Sequence, residues 1–331
     1  MNKRFIKSRQ FRIIISIIVT LVTSEITLRF LLGLGHPVLS QADNYTGYRF
    51  QPNQQIFRFG KIIKYNQYSQ RSAPITPQKP QGKFRILMLG DSVLNGGNPT
   101  DQKQIITELL KTKIQTSEQL AEVLNASAGS WGIGNQLGYL KKFGTFESDI
   151  IIMQIGTHDI TQPTSTSERI GLDPNYPEHP PLLAIQEALT RYIIPRLLGD
   201  LNLNPVSNKE IPQIEIMQKD QQFQENMKSL TMAVNIVREK QIPIYVLFTP
   251  NRDDLIPQPI TPPHKQEFMQ VLKSLQVPLF DTYEAWSKLP TNVVNGYYRD
   301  EVHLNEKGNE SVATLIYKQL CSQKKIQGCS L

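Results

Sequence analysis

Short apolar runs alternate with stretches of helical spacing along most of this chain. The run FRILML at 84–89, bounded by glycines, reads as a buried strand. Residues 121–125, 149–155 (DIIIMQI), 242–248 (IPIYVLF) and 277–280 (VPLF) read the same way. Between them, apolar residues at 105, 106, 109, 110 and 114 line one helical face, and 136–143, 182–198, 223–240, 263–275 and 305–323 are further helices. Pro195 should end or bend the helix over 182–198, because it supplies no backbone donor. Continuous apolar strands alternating with helices predict an α/β fold, a parallel sheet covered on both faces. In such sheets chemistry gathers at the carboxyl ends of the strands. The stretches 157–181 and 199–222 are long enough to form a lid or groove wall, or to be decoration.

The first 34 residues follow a different pattern. Positions 13–34 read IIISIIVTLVTSEITLRFLLGL. As a helix this run would span about 33 Å, enough for a hydrocarbon core of about 30 Å. Its two charges, Glu25 and Arg29, stand four apart with the acid first, the order that pairs on one helix face. Lys3, Arg4, Lys7, Arg9 and Arg12 precede it with no acid among them, which argues for a cytoplasmic tail and an outward-facing remainder. Three readings are open: a retained anchor, a secretory signal cleaved near Ser40-Gln41-Ala42, or a buried soluble helix. The anchor reading divides the chain into a basic tail (1–12), a transmembrane helix (13–34), an extracytoplasmic extension (35–80) and a domain (81–325), which in a bacterial cell would be periplasmic. The extension, aromatic and polar and ending in Pro74, Pro77 and Pro80, is expected to hold short extended pieces and a linker.

Charge then looks different. The chain has 331 residues and a net charge of +7, but its 36 basic groups less those five are 31 against 29 acidic ones. The excess is a tail, so a nucleic-acid-binding face is not expected. An apolar share of 39% before counting 19 glycines excludes wholesale disorder. The only cysteines, Cys321 and Cys329, fit either a short terminal bridge in an oxidising compartment or two free thiols.

Candidate chemistry sits where strands end. The first closes in Gly90-Asp91-Ser92, with a glycine that permits a sharp turn and a serine aimed into the crevice. Before the last helix stands Asp300-Glu301-Val302-His303, in which an acid three residues ahead can orient the imidazole and leave Nε2 free to take a serine proton. Gly156-Thr157-His158-Asp159 and the loop Asn125-Ala126-Ser127-Ala128-Gly129-Ser130 offer donors for an oxyanion.

Together these motifs, in this order over roughly residues 80–320, resemble the SGNH/GDSL hydrolase superfamily. That resemblance implies a three-layer α/β/α, flavodoxin-like fold, with Ser92 as nucleophile, His303 as general base and then acid, and Asp300 as its orienter. The Ser92 N–H would be one oxyanion donor. The apolar helix, with Glu25…Arg29 and the stretch NQYSQRS at 66–72, is similar to a membrane-anchored bacterial subset of that superfamily. Two departures stand out. His158 occupies the place of the family asparagine, as an oxyanion or substrate contact or as a structural crevice histidine. The block-two glycine corresponds to either Gly129 or Ser130.

The function implied is a serine esterase or deacylase acting on an acylated small molecule or glycan, with no metal or diffusible cofactor required. Transfer of the acyl group to a sugar hydroxyl, and a degenerate glycan-binding scaffold, are the alternatives. Trp131 is expected to stack on a sugar or to plug the crevice, and Asp253 and Asp254, after the fourth strand, to meet substrate or to solvate a turn. His36, His179 and His264, beside prolines, are expected to be exposed, without metal-ligand spacing.

Overall fold

A computed structural model describes residues 3–115, 119–200, 213–326 and 328–329. Five strands form one parallel sheet: β5 (Lys83–Gly90), β6 (Leu120–Ser127), β7 (Ile150–Gly156), β8 (Ile244–Thr249) and β9 (Leu279–Asp281). Their spatial order is β6-β5-β7-β8-β9, all neighbours parallel. This is the flavodoxin-like order, in which the connections leave β5 and β7 in opposite directions and open a crevice at their carboxyl ends.

Alternation along the strands sends side chains to two separate cores. Leu87, Leu89, Ile151, Met153, Val246 and Phe248 face one side, where α4 (Ile133–Phe143), α7 (Gln213–Glu239) and α8 (Lys265–Ser274) cover them. Ile86, Met88, Ile150, Ile152 and Leu247 face the other, beneath α3 (Ile106–Ile114) and α11 (Glu306–Ser322). Each strand predicted from its apolar run is present, with ends moved by one or two residues. Asn305 caps α11 by accepting from the N–H of Lys307 and Gly308.

Pro195 does not end its helix. The chain runs through α5 (Ala184–Glu187), a π-helical stretch at Ala188–Ile193 and α6 (Ile194–Asp200). A proline has no N–H for the carbonyl four residues earlier, and widening the turn lets the helix continue past it. Part of the insertion at 199–222, residues 201–212, lies outside the described residues.

Residues 35–80 form more than extended pieces. Two antiparallel hairpins, β1 (Ser40–Asp43) with β2 (Gly47–Phe50) and β3 (Gln54–Arg58) with β4 (Lys61–Tyr65), pack on the domain. Tyr48 joins the core beneath α4, and Val38, Ile63 and Tyr65 form a small cluster of their own. The following NQYSQRS stretch is largely buried, and Arg71 is wholly so. Its guanidinium donates to the carbonyls of Asn95 (2.5 Å), Gly97 (2.7 Å) and Thr100 (2.5 Å), while Asn125 N donates to Ser72 Oγ at 2.9 Å. The extension thereby fastens the segment that follows β5 and the last residues of β6.

The N-terminal helix α1 (Lys3–Leu32) contains an apolar stretch, Gln10–Leu32, long enough to cross a membrane and unburied in its most apolar window. Its last turns are tied to the fold. Glu25 pairs with Arg29 and accepts from the N–H groups of Ala184 (2.8 Å) and Ile185 (3.1 Å). Just beyond, Leu34 is buried, Gly35 N donates to Glu187, and Glu187 is ion-paired with the fully buried Arg58. At the opposite terminus, Cys321 and Cys329 are joined by a disulfide.

Candidate active site

Gly90 ends β5 where the backbone passes close to its neighbours: a Cβ there would lie 2.5 Å from Gln154 Oε1 and 2.8 Å from Leu94 Cβ. The close approach lets the chain turn directly into the short helix α2 (Ser92–Asn95), which Asp91 caps by accepting from Val93 N at 2.8 Å. Ser92 is the first residue of that helix, half-buried at the sheet rim.

Its hydroxyl lies 2.9 Å from His303 Nε2. His303 Nδ1 lies 2.9 Å from each carboxylate oxygen of Asp300. Asp300 Oδ1 also accepts the backbone N–H of His303 (2.7 Å) and of Val302 (3.0 Å), closing the loop on itself. Burial pushes the Asp300 carboxyl up, but those N–H groups and the imidazole outweigh it, holding it below the usual carboxylate range. The loop is pinned from two sides: Tyr298 pairs with Leu304 in an antiparallel bridge, and Tyr298 Oη donates to Pro250 O at 2.9 Å after β8. Residues 92, 300 and 303 therefore meet at one rim, with the serine, imidazole and carboxylate in hydrogen-bonded series.

Gly129 and Ser130 lie in the turn after β6, at the same edge of the sheet. Ser130 has φ 58°, a left-handed conformation that glycine adopts more readily than serine. A cleft of about 460 Å³ opens beside Ser130, walled by Tyr48, Arg169 and Tyr176 and by the chain at 162–166. The insertion 157–181 thus builds a groove wall. Trp131 is buried and its Nε1 donates to Tyr48 O at 2.9 Å, so it plugs the fold and offers no open face to a sugar.

His158 points elsewhere. Its Nε2 lies 2.7 Å from Asp91 Oδ2 and its Nδ1 3.0 Å from Asn251 Oδ1. Burial works against a charge on this imidazole. The carboxylates of Asp159 and Asp91, with Asn251, outweigh it and push the group up to about 10. Asp159 is pushed up to about 8 by burial and by the charge of Asp91. With both ring nitrogens engaged, neither is left to reach a substrate oxygen, and the geometry matches the structural reading of this residue.

Residues 88–310, more than half of the chain, match the GDSL-like Lipase/Acylhydrolase family. The chain belongs to this family. No curated protein matches the sequence. Among solved structures, TesA is similar, with 12% identity, coverage of 71% of this chain and 97% of that one, and a TM-score of 0.42. An acetyl xylan esterase, AlAXEase, gives 14% identity, 72% and 100% coverage, and 0.42. A lipase/acylhydrolase from Enterococcus faecalis gives 14% identity, 75% and 100% coverage, and 0.41.

Two supports of this GDSL-family site escape a reading of spacing alone. Asn251, after β8, holds His158, and Gln154, on β7, accepts Asp91 N at 3.0 Å through its Oε1 and donates to Thr249 Oγ1 at 2.9 Å. Gln154 is wholly buried within an apolar strand, a polar residue where the pattern calls for none, and that was the available signal. Asp254 closes its turn by accepting from Thr157 Oγ1 and Asn251 N, each at 2.7 Å, whereas Asp253 is exposed. His36 and His179 are exposed as expected. His264 is not: it stacks on Phe223 with ring centroids 4.9 Å apart, because the helix after Pro263 begins by folding it back onto α7.

Proposed function

We propose that this GDSL-family protein is a serine esterase or deacylase, held in the cytoplasmic membrane by α1 with its domain on the outer side. Ser92 Oγ attacks an ester carbonyl as His303 Nε2 takes the hydroxyl proton. The tetrahedral oxyanion is met by the N–H of Ser92 and that of Gly129 or Ser130. Collapse expels the alcohol, which receives the proton from the imidazolium, and leaves an acyl-serine. Water, deprotonated by the same imidazole, then releases the carboxylic acid and restores Ser92. Asp300 holds the tautomer that leaves Nε2 unprotonated at the start and stabilises the imidazolium when it forms.

The observation behind this reading is the 2.9 Å contact of Ser92 Oγ with His303 Nε2, in series with Asp300. Labelling with a fluorophosphonate tests it. Prompt reaction that disappears in Ser92→Ala is expected, and folded wild-type protein that does not react would favour the scaffold reading. Acylated glycans of the envelope, or acylated small molecules met there, are the substrates proposed, on location alone.

The groove beside Ser130 favours a second reading, O-acyl transfer, in which a sugar hydroxyl occupies that cleft and replaces water. Measuring whether the acyl group goes to water or to an added oligosaccharide separates the two.

Two features support retention of α1. The small-residue site Ser40-Gln41-Ala42 lies inside β1, paired with β2, so it is not an open peptide. Cleavage there would also remove Leu34 and Gly35 from the contacts that surround the buried Arg58–Glu187 pair.

A further inference from the structure

The outer end of α1 adjoins a second apolar surface. In the helix that runs from Ala184 to Asp200, Ala184, Glu187 and Ala188 are buried. They pack with Leu34 or, for Glu187, pair with Arg58. On the opposite side Leu189, Ile193 and Leu197, four residues apart, are exposed. Leu182, 88% exposed, and Leu183 extend this surface at the start of the helix. Phe30 and Leu31, in the last turn of α1, are exposed as well.

Polar contacts fix where this surface sits. Glu25 holds the first N–H groups of the helix, and Arg29 Nη2 donates to Leu182 O at 2.7 Å. The leucine corner is thus tied to the outer third of the apolar span, at the level where a membrane gives way to water. Between 184 and 197 the charged residues are Glu187, Arg191 and Arg196; the acid is consumed by its buried pair with Arg58 and also lies 3.5 Å from the largely covered Arg191, so Arg196 is the exposed charge. An exposed apolar face bordered by a basic group and free of exposed acid suits a bilayer surface with anionic headgroups.

We propose that the helix over 184–197 lies against the lipid surface in which α1 is embedded, as a second membrane contact that sets how the catalytic crevice faces the bilayer. The contact rests on the reading of α1 as a retained anchor. The apolar stripe and the polar lock act together: Glu25 and Arg29 dock α1 to the start of the helix, and the stripe then meets the acyl chains around the anchor.

The test uses the full-length chain in phosphatidylcholine–phosphatidylglycerol vesicles. Cys321 and Cys329 are bridged, so an introduced cysteine can be labelled with an environment-sensitive nitrobenzoxadiazole dye. Ile193→Cys and Leu197→Cys report on the stripe, and Lys273→Cys, exposed on α8, is the reference. Labels at 193 and 197 should emit blue-shifted light, lose intensity with nitroxide-bearing lipid and resist aqueous iodide, with the reverse at 273. Iodide access at 193 and 197 equal to that at 273 overturns the proposal. So does shielding from iodide without nitroxide quenching, which would mean a second copy covers the stripe. Intact mass of the same samples tells the two failures apart: a mass lacking α1 overturns the anchor and the contact together, whereas full-length mass with iodide-accessible labels overturns only the contact.

Discussion

In the reaction proposed for Ser92 one proton decides the chemistry, and the residues around it divide between those that would move it and those that hold the turn. Replacing Ser92 or His303 by alanine should abolish ester turnover and fluorophosphonate labelling, read by steady-state assay and gel fluorescence. Asp300→Asn should lower kcat by the order of 10³ to 10⁴, because an amide no longer enforces the tautomer that leaves Nε2 as the acceptor. Near-normal rates in the alanine variants would remove the proposed mechanism. His158 belongs with the second group, and its proton carries a stability consequence. Its folded pKa, about 10, lies above the ordinary value of 6.5. Its contribution is therefore fully present below about pH 6.5 and is lost as pH rises through about 10. Asp159, pushed up to about 8, changes stability in the same direction, since the folded state again holds a proton that the unfolded state releases sooner. The urea midpoint should fall between pH 6.5 and 10 in the wild type and fall less in His158→Asn. An equal slope in both would mean that the imidazole holds no extra proton. The proximity of Ser92 and His303 was legible because each adjoins a feature with a local signature, the strand end before Ser92 and the helix start after His303. The partners of His158 were not, since Asp91 and Asn251 stand 67 and 93 residues away in the chain.

At the scale of elements, the apolar periodicity located every strand of the sheet and most helices, because burial on one or two faces is a local property of a strand or helix. It failed where burial does not depend on periodicity. The hairpins over 40–65 have strands of four or five residues with many polar positions, too short for a period to show. Arg71 was legible only as part of a motif, and nothing in its surroundings in the sequence signals a guanidinium with no exposure at all. Arg71→Ala should strand three buried carbonyls and lower stability by about 3 kcal/mol or more, since hydrogen bonds to a charged donor are worth about 1.5–3 kcal/mol each. Thermal unfolding measures that loss. Slower labelling of Ser92 in the same variant would show that the extension also positions the turn after β5. A variant with unchanged melting would mean that water replaces the guanidinium. Pro195 teaches a related point: proline removes one donor, and a π turn accommodates the gap without ending the helix.

For the whole molecule, the N-terminal helix, the hairpins and the domain form one connected body, tied through the buried Arg58–Glu187 pair and the lock of Glu25 and Arg29 on the helix at 184. If α1 is the anchor proposed, removal of residues 1–32 should release the protein from membranes but lower its melting temperature, because the N–H groups of Ala184 and Ile185 would lose Glu25 and that of Phe59 would lose the carbonyl of Leu32. Unchanged melting would show that the domain does not depend on α1. At the other end, Cys321→Ser with Cys329→Ser opens a loop of sequence separation 8 and should cost about 2–3 kcal/mol, seen as a lower urea midpoint than in oxidised wild type. By itself the amino-acid sequence determined the parallel α/β class, the order of its elements, the apolar N-terminal span and the strand-end placement of the serine and the Asp-x-x-His loop, because each is written in spacing over a few residues. Only the tertiary structure decided that Trp131 plugs the fold, that both nitrogens of His158 are occupied, and that the leucines near 182 meet the end of α1. Those outcomes depend on contacts between segments far apart in the chain, and a spacing rule carries no information about which distant segment arrives.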